Sequence, residues 1–175
     1  MLEGLRRGFE RLMEGVVIIL MVALSIVVTL GIAYRTMGQA LVWYDEVASI
    51  GLAWLTYYGA ALGALKRAHI GVPEIMRRLP PGLRAVLFCV AEALVFGFFI
   101  LAAWVGYEVA EVMAGSSLVS LDWVSEQLAQ SVIPIGAVLF IIGQALSLPE
   151  AWRKTMTGGG GHRVVDPNAE MAATE

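Results

Sequence analysis

Residues 12–34 read LMEGVVIILMVALSIVVTLGIAY, and Glu14 is the only charged side chain among them. About 20 helical residues cross the roughly 30 Å hydrocarbon layer of a membrane. Since lipid offers no partner to backbone N–H and C=O groups, a lone segment spans a membrane only as a helix, even when it is rich in valine and isoleucine. The stretch is longer than the apolar core of a cleaved signal peptide, so we predict a retained transmembrane helix.

Three more apolar blocks follow, at residues 47–65, 85–112 and 132–148. Of the 175 residues, 58% are hydrophobic and 15% are charged, and the mean hydropathy is +0.74. A soluble domain is about 45–50% apolar and 25% charged, so this chain has too little polar surface to form one. The four blocks predict an all-α polytopic membrane protein whose four-helix membrane domain covers residues 12–152.

The basic residues indicate an orientation. Of the 12 Lys and Arg side chains, all except Arg35 lie in the N-terminal segment, in the loop between the second and third spans, or in the C-terminal tail. Short cytoplasmic loops carry an excess of Lys and Arg. We therefore predict a multi-pass membrane protein with both termini in the cytoplasm.

Two segments beside the spans have an apolar stripe at helical spacing. In residues 1–11 leucine and phenylalanine alternate with charged residues, which predicts an N-terminal interfacial helix. Residues 73–79 have a similar stripe beside Arg77 and Arg78, whose long side chains can reach lipid phosphates. A second interfacial helix and a plain basic loop both fit this segment.

Two other segments differ in character. Residues 118–128 are too apolar for a free loop, so we expect them to enter the membrane interface or to contact a partner. Residues 153–175 contain four consecutive glycines and a polar run without periodicity, which predicts a flexible cytoplasmic tail.

Several kinds of chemistry are excluded by residue type. Cys89 is the only cysteine, and His69 and His162 are the only histidines, so an internal disulfide, a thiolate metal cluster and bis-histidine haem ligation within the bilayer are ruled out. No phosphate loop or nucleophile elbow is present, and the basic residues follow a membrane face. We predict that the protein is not an enzyme and has no cofactor, metal or nucleic-acid partner.

Four carboxylates fall within the predicted span ranges. Glu108 and Glu111 lie at the outer end of the third span, where we expect them to be solvated, whereas Glu14 and Glu92 lie further inside, where an ionisable group is costly and a candidate for function. Glu14 is close enough to Arg11 for a local ion pair. Glu92 lies deeper, and two interpretations remain: a proton or cation site, or a structural group. As a structural group it would clasp Lys66, Arg67 or a partner subunit, or it would be a protonated carboxyl bonded across helices.

Asp45 and Glu46 begin the second span. Carboxylates at a helix N-terminus accept its free N–H groups and interact favourably with its dipole, so simple capping explains them. The residues around them carry a further pattern.

That pattern consists of short motifs in a fixed order. They are WYDE at 43–46, Trp54, GAA at 59–61, KRAHIGV at 66–72, LP at 79–80, SL at 117–118 and IPIG at 133–136. Together they resemble the small, DctQ-like membrane subunit of tripartite ATP-independent periplasmic (TRAP) transporters, over about residues 12–152. The chain departs from the family pattern at Pro73 and Asp45.

The resemblance implies a non-catalytic subunit with two protein partners. One is a larger, roughly twelve-helix membrane subunit that carries substrate and sodium in an elevator motion. The other is a periplasmic substrate-binding protein that delivers an organic acid, such as a dicarboxylate or sialic acid. The small subunit would be a scaffold for the first and would help to dock the second.

We assign two groups of candidate residues on this basis. Candidates for contact with a partner or the binding protein are Arg35, Trp43, Asp45, Glu46, Trp54, Gly59 and Ala60. Candidates for membrane anchoring or a polar clasp are Lys66, Arg67, His69, Arg77, Arg78 and Glu92. Membrane lipids are the remaining expected partner. Two alternatives are a self-sufficient four-helix exporter coupled to protons through Glu14 or Glu92, and a structural anchor for another complex.

Overall fold

The computed structural model describes residues 2–67 and 79–157, which form five helices. They are α1 (Leu2–Thr36), α2 (Tyr44–Lys66), α3 (Pro81–Val112), α4 (Glu126–Gln130) and α5 (Val132–Thr157). Helices α1, α2, α3 and α5 are long and apolar enough to cross a membrane. Within the described ranges there is no strand, only an isolated bridge between Ser117 and Ser125. The prediction of an all-α protein with four membrane-spanning helices is confirmed.

The helices extend beyond the apolar blocks that predicted them. Helix α3 begins at Pro81, because a proline in the first turn lacks only an N–H that would be unbonded there. Helix α5 continues through Pro149 to Thr157, past the predicted start of the tail at residue 153. Helix α1 runs without interruption from Leu2. The interfacial role of residues 1–11 stays a prediction.

Some predicted features lie outside the described residues. Residues 68–78 include His69, Arg77, Arg78 and nearly all of the proposed interfacial helix at 73–79. Residues 158–175 make up most of the predicted tail.

The four long helices form an open layer rather than a closed bundle. Helix α5 packs against α2 and α3, and α1 packs mainly against α2, so the order across the layer is α1–α2–α5–α3. In the most apolar window of each long helix, 39% of residues are buried in the last span, against 6% in α1 and α3. The outer helices therefore expose most of their surface.

Small residues let the central helices approach closely. A Cβ at Gly143 of α5 would lie 2.8 Å from the carbonyl oxygen of Ala61 in α2, and one at Gly136 would lie 2.6 Å from the Tyr57 side chain. Beside them the rings of Phe99 and Phe140 stack with centroids 3.5 Å apart. Any larger residue at the two glycines would push α2 and α5 apart.

We name the two ends of the layer by their charges. The basic end holds the start of α1, the end of α2, the start of α3 and the end of α5. The acidic end holds the opposite termini and the loop at residues 113–125. An ion pair between Arg6 and Glu150 joins the first and last helices at the basic end. The assignment of this end to the cytoplasm stays a prediction.

Candidate functional site

At the basic end, Arg67 connects three helices. It follows the last residue of α2 in a left-handed conformation (φ 50°), and its N–H bonds to the carbonyl of Ala64 at 3.2 Å. This conformation is uncommon for a residue other than glycine. The Arg67 side chain donates from Nε to Ser147 Oγ in α5 at 2.8 Å and from Nη1 to Glu92 in α3.

The Glu92 carboxylate is bonded on both oxygens. Arg67 binds Oε1, and Gln144 Nε2 donates to Oε2 at 2.8 Å. Ser147 in turn donates to the carbonyl oxygens of Gln144 (2.9 Å) or Ala64 (3.2 Å). We call Arg67, Glu92, Gln144 and Ser147 the Arg67 clasp; it links α2, α3 and α5.

Burial makes this clasp energetically important. The Glu92 side chain is 12% exposed, Gln144 is 5% exposed and Ser147 is fully buried. A buried carboxylate loses its hydration, and a cation with good hydrogen bonds compensates for that loss. Glu92 therefore has the contacts of a structural group, and the proton-site interpretation stays a prediction.

Lys66 makes the corresponding link to α1. Its ammonium binds Glu14 and lies 3.5 Å from Glu10. Glu14 thus contacts α2 rather than the Arg11 side chain that the sequence suggested. Adjacent residues at the end of α2 consequently bind in opposite directions, Lys66 to α1 and Arg67 to α3 and α5.

At the acidic end, Glu46 holds the loop that follows α3. Its carboxylate accepts hydrogen bonds from the N–H groups of Val119 (3.0 Å) and Ser120 (2.9 Å) and from the Ser120 hydroxyl. The N–H groups belong to a different segment, so the hydrogen-bonding part of the capping explanation is wrong for Glu46, although its carboxylate does lie in the first turn of α2. Trp43 occupies the cap position of α2 and makes no side-chain cap bond.

The bound loop is a compact turn with an exposed tip. Leu118 N–H bonds to the Val124 carbonyl at 3.0 Å, and Glu126 N–H bonds to the Ser116 carbonyl at 2.9 Å. Leu118 is buried, whereas two apolar side chains at the tip, Val119 and Trp123, are 93% and 83% exposed. Whether residues 118–128 meet lipid or a partner stays a prediction.

The predicted partner-contact residues fall into two sets. Trp54 donates from Nε1 to the Ala129 carbonyl at 3.2 Å, and Ala60 packs beside the core formed by Ala61, Ala64 and Phe140. Arg35 and Asp45 are exposed, Trp43 is half-buried, and a Cβ at Gly59 would have no atom within 4 Å. The structure thus involves Glu46, Trp54 and Ala60 in internal contacts, while the contact role of all seven stays a prediction.

The sequence analysis did not identify Gln144, Ser147 or Ser120. Gln144 and Ser147 are one turn apart in an apolar span, and this spacing places both on one helix face. Uncharged polar residues are common in membrane spans. The spacing of Gln144 and Ser147 alone therefore does not show that they do more than pack against neighbouring helices. Among the described residues, no three His, Cys, Asp or Glu side chains lie close enough to hold a metal ion.

These features define a class: a four-span membrane protein in which Arg6, Lys66 and Arg67 at the basic end pair with carboxylates of other helices. Comparison with known families is consistent with this class and more specific. Residues 10–154 match the family model described as "Tripartite ATP-independent periplasmic transporters, DctQ component". The chain belongs to the DctQ family, the small membrane subunits of TRAP transporters. None of the curated proteins compared with it matches significantly.

Membership in the family gives the protein its general context. TRAP transporters combine a DctQ component with a larger membrane subunit and a periplasmic binding protein. The chain is therefore a multi-pass transporter component.

Proposed function

We propose that this chain is a non-catalytic scaffold for the larger membrane subunit of a sodium-driven organic-acid importer, and that it helps to dock the periplasmic binding protein. In this proposal the protein lies in the bacterial inner membrane with the basic end in the cytoplasm. The substrate is a dicarboxylate, sialic acid or a similar carboxylate. The exposed surface of α2 is the observation that carries the proposal.

Helix α2 is the least apolar of the four spans, yet the other helices of the chain bury little of its surface. The mean hydropathy of its best window is 1.3, against 2.0 to 3.0 for the others, and 11% of that window is buried. Four exposed residues repeat at helical spacing along one face: Asp45, Ser49, Leu52 and Thr56. Gly59 continues the row. We call this row the α2 face.

The α2 face has the composition of a helix–helix contact. Small and hydroxyl-bearing residues let two helix backbones approach closely in a membrane, whereas lipid-facing positions favour large aliphatic side chains. Helix α1 exposes Ile18, Ile19 and Ile26, which suit lipid. The α2 face is therefore best suited to pack against a membrane helix of the larger subunit.

The pairing of charges supports a stationary role. Glu14 and Glu92, the two carboxylates proposed for proton coupling in the alternative exporter, each bind a cation from the end of α2. Moving a proton through either would require breaking contacts that join helices. A scaffold needs these contacts to persist through the transport cycle.

The acidic end supports docking of a soluble partner. Glu46 fixes a loop whose tip exposes Trp123 and Val119, and Asp45 lies exposed in the same first turn of α2 as Glu46. Preorganised aromatic side chains are frequent energetic centres of protein contacts. Docking on this surface would place the binding protein beside the larger subunit.

Two tryptophan substitutions, one on the α2 face and one on the exposed side of α1, test the scaffold role. Thr56→Trp puts a large ring on the α2 face, and Ile19→Trp puts the same ring on the exposed side of α1 as the matched control. We expect Thr56→Trp to reduce co-purification of the larger subunit at least tenfold, and Ile19→Trp to leave it unchanged. Equal recovery with both variants would contradict the proposed contact.

Transport itself is measured in proteoliposomes. Vesicles that contain the larger subunit, with the binding protein added, should accumulate organic acid in response to an inward sodium gradient only when this chain is also present. Full uptake without the chain would exclude the scaffold. Cation efflux driven by a pH gradient in vesicles with this chain alone would favour the exporter instead.

A further inference from the structure

A cavity of about 670 Å³ opens between α3, α4 and α5 at the acidic end, away from both the Arg67 clasp and the α2 face. Its apolar surface comes from Ala110 of α3 and from Ile135, Val138 and Leu139 of α5. Cavities of this size hold small molecules or parts of larger ones.

With the ends of α2 and α3 at the acidic end taken as the boundary of the hydrocarbon layer, the cavity lies at the depth of lipid acyl chains. Gly106 of α3 contacts Ile133 near the start of α5, and Val112 ends α3 about 9 Å further along the axis. Trp54, which bonds to Ala129 of α4, lies about 15 Å along α2 from Tyr44. Half of the hydrocarbon layer is about 15 Å thick. The cavity is therefore in the leaflet at the acidic end.

Four of the residues that line the cavity are polar. Ser125 and Ser131 flank the short helix α4, Gln127 lies within it, and Tyr107 belongs to α3. Irregular backbone and polar side chains at membrane depth are stable where protein or a polar cavity covers them. A mainly apolar lining with a few polar side chains fits an amphiphile with one hydrocarbon chain inside and a headgroup at the opening.

The charge at the opening selects among headgroups. The Tyr107 hydroxyl donates to Glu111 Oε1 at 2.7 Å, which places this carboxylate one turn above the cavity. The residues that line the cavity include no Lys or Arg. Electrostatic complementarity therefore favours a headgroup with an ammonium over an anionic one.

We propose that this cavity binds one phosphatidylethanolamine molecule from the leaflet at the acidic end. One acyl chain lies on Ile135, Val138 and Leu139, and the ammonium is next to Glu111. The site is independent of how the protein contributes to transport, because it uses neither the α2 face nor the clasp.

The test offers two lipids to the full-length protein. The purified chain is stripped of lipid in mild detergent and incubated with equal amounts of phosphatidylethanolamine and phosphatidylglycerol, and bound lipid is counted by native mass spectrometry. We expect phosphatidylethanolamine to be preferred, and Glu111→Gln to reduce the preference about two- to fivefold, as loss of one exposed charge pair would. Glu108→Gln is the matched control, because the Glu108 carboxylate accepts a hydrogen bond from Trp104, which does not line the cavity, whereas Glu111 accepts one from Tyr107, which does.

A second variant tests the cavity itself. Val138→Trp fills its floor and should remove one bound lipid, while circular dichroism and gel filtration verify the fold. A second experiment does not depend on the folding of Val138→Trp. Phosphatidylethanolamine with a photoreactive diazirine in its acyl chain should label α5 near Val138 in the wild-type protein. Absence of this label, equal binding of the two lipids by the wild type, or an unchanged preference in Glu111→Gln would overturn the proposal.

Discussion

The two ends of the helix layer use charge differently. At the basic end, cations and carboxylates from different helices bind each other, as in Arg67 with Glu92, Lys66 with Glu14 and Arg6 with Glu150. At the acidic end, Glu46 binds backbone N–H groups of a loop, and Asp45 remains exposed. Charges at the basic end therefore fix the helices relative to each other, whereas charge at the acidic end holds a surface loop in place.

The largest effect should come from breaking the Arg67 clasp on one side only. Arg67→Met leaves the Glu92 carboxylate buried without its cation, which typically costs about 3–5 kcal/mol. We expect a loss of that order in the free energy of unfolding, measured by titration from mild detergent into dodecyl sulfate.

The double variant Arg67→Met/Glu92→Leu is the control for this prediction. Removing both charges leaves no uncompensated ion, so it should recover most of the stability lost by Arg67→Met. If both variants lose the same stability, the ion pair is not what holds the basic end together.

An intermediate and local effect is expected at the acidic end. Glu46→Ala removes the acceptor for three donors of the loop, each worth about 1 kcal/mol or less at a solvated site. Residues 116–126 should exchange amide hydrogen at least tenfold faster, and the basic end should exchange as in the wild type.

Asp45→Ala is the matched control for the loop. Asp45 is adjacent in the same helical turn and has no hydrogen bond to the loop among the described residues, so loop exchange should be unchanged. Faster exchange with Asp45→Ala as well would mean that the start of α2, rather than the Glu46 bonds, fixes the loop.

The smallest effect should come from the partly exposed pair at the basic end. Arg6 and Glu150 are each about one-third exposed, and Glu150 also lies 2.6 Å from Lys154. Exposed pairs contribute about 0–1 kcal/mol. Arg6→Gln should therefore lower the free energy of unfolding by less than about 1 kcal/mol. A loss as large as that of Arg67→Met would show that burial does not separate the two pairs.

The sequence predicted the spans because lipid permits few alternatives to a helix. It underestimated their length, because hydropathy falls where interfacial residues begin while the helix continues, as at Pro81 and through Pro149 to Thr157. The open layer was not predictable, since apolar periodicity does not distinguish a surface that meets lipid from one that meets another helix.

The site was predicted only in part for a related reason. Glu92 is conspicuous in the sequence because a charge in a span is costly, but the sequence does not choose among Lys66, Arg67, a partner subunit and a bond from a protonated carboxyl to another helix. The left-handed turn at Arg67 directs those two side chains to different helices. The sequence places Glu46 at a helix cap position and gives no sign of the loop that it binds, because that loop is more than 70 residues away.

The position of α5 in the layer has a consequence for biogenesis. It is the last of the four spans to leave the ribosome, yet it is the helix that packs against both α2 and α3. Until it enters the membrane, α3 has neither its stacking ring at Phe140 nor the Gln144 amide that bonds to Glu92. A nascent chain is thus a hairpin of α1 and α2 that holds the third helix mainly through the ion pair of Arg67 with Glu92, and quality-control proteases would meet it in that form whenever synthesis stops early.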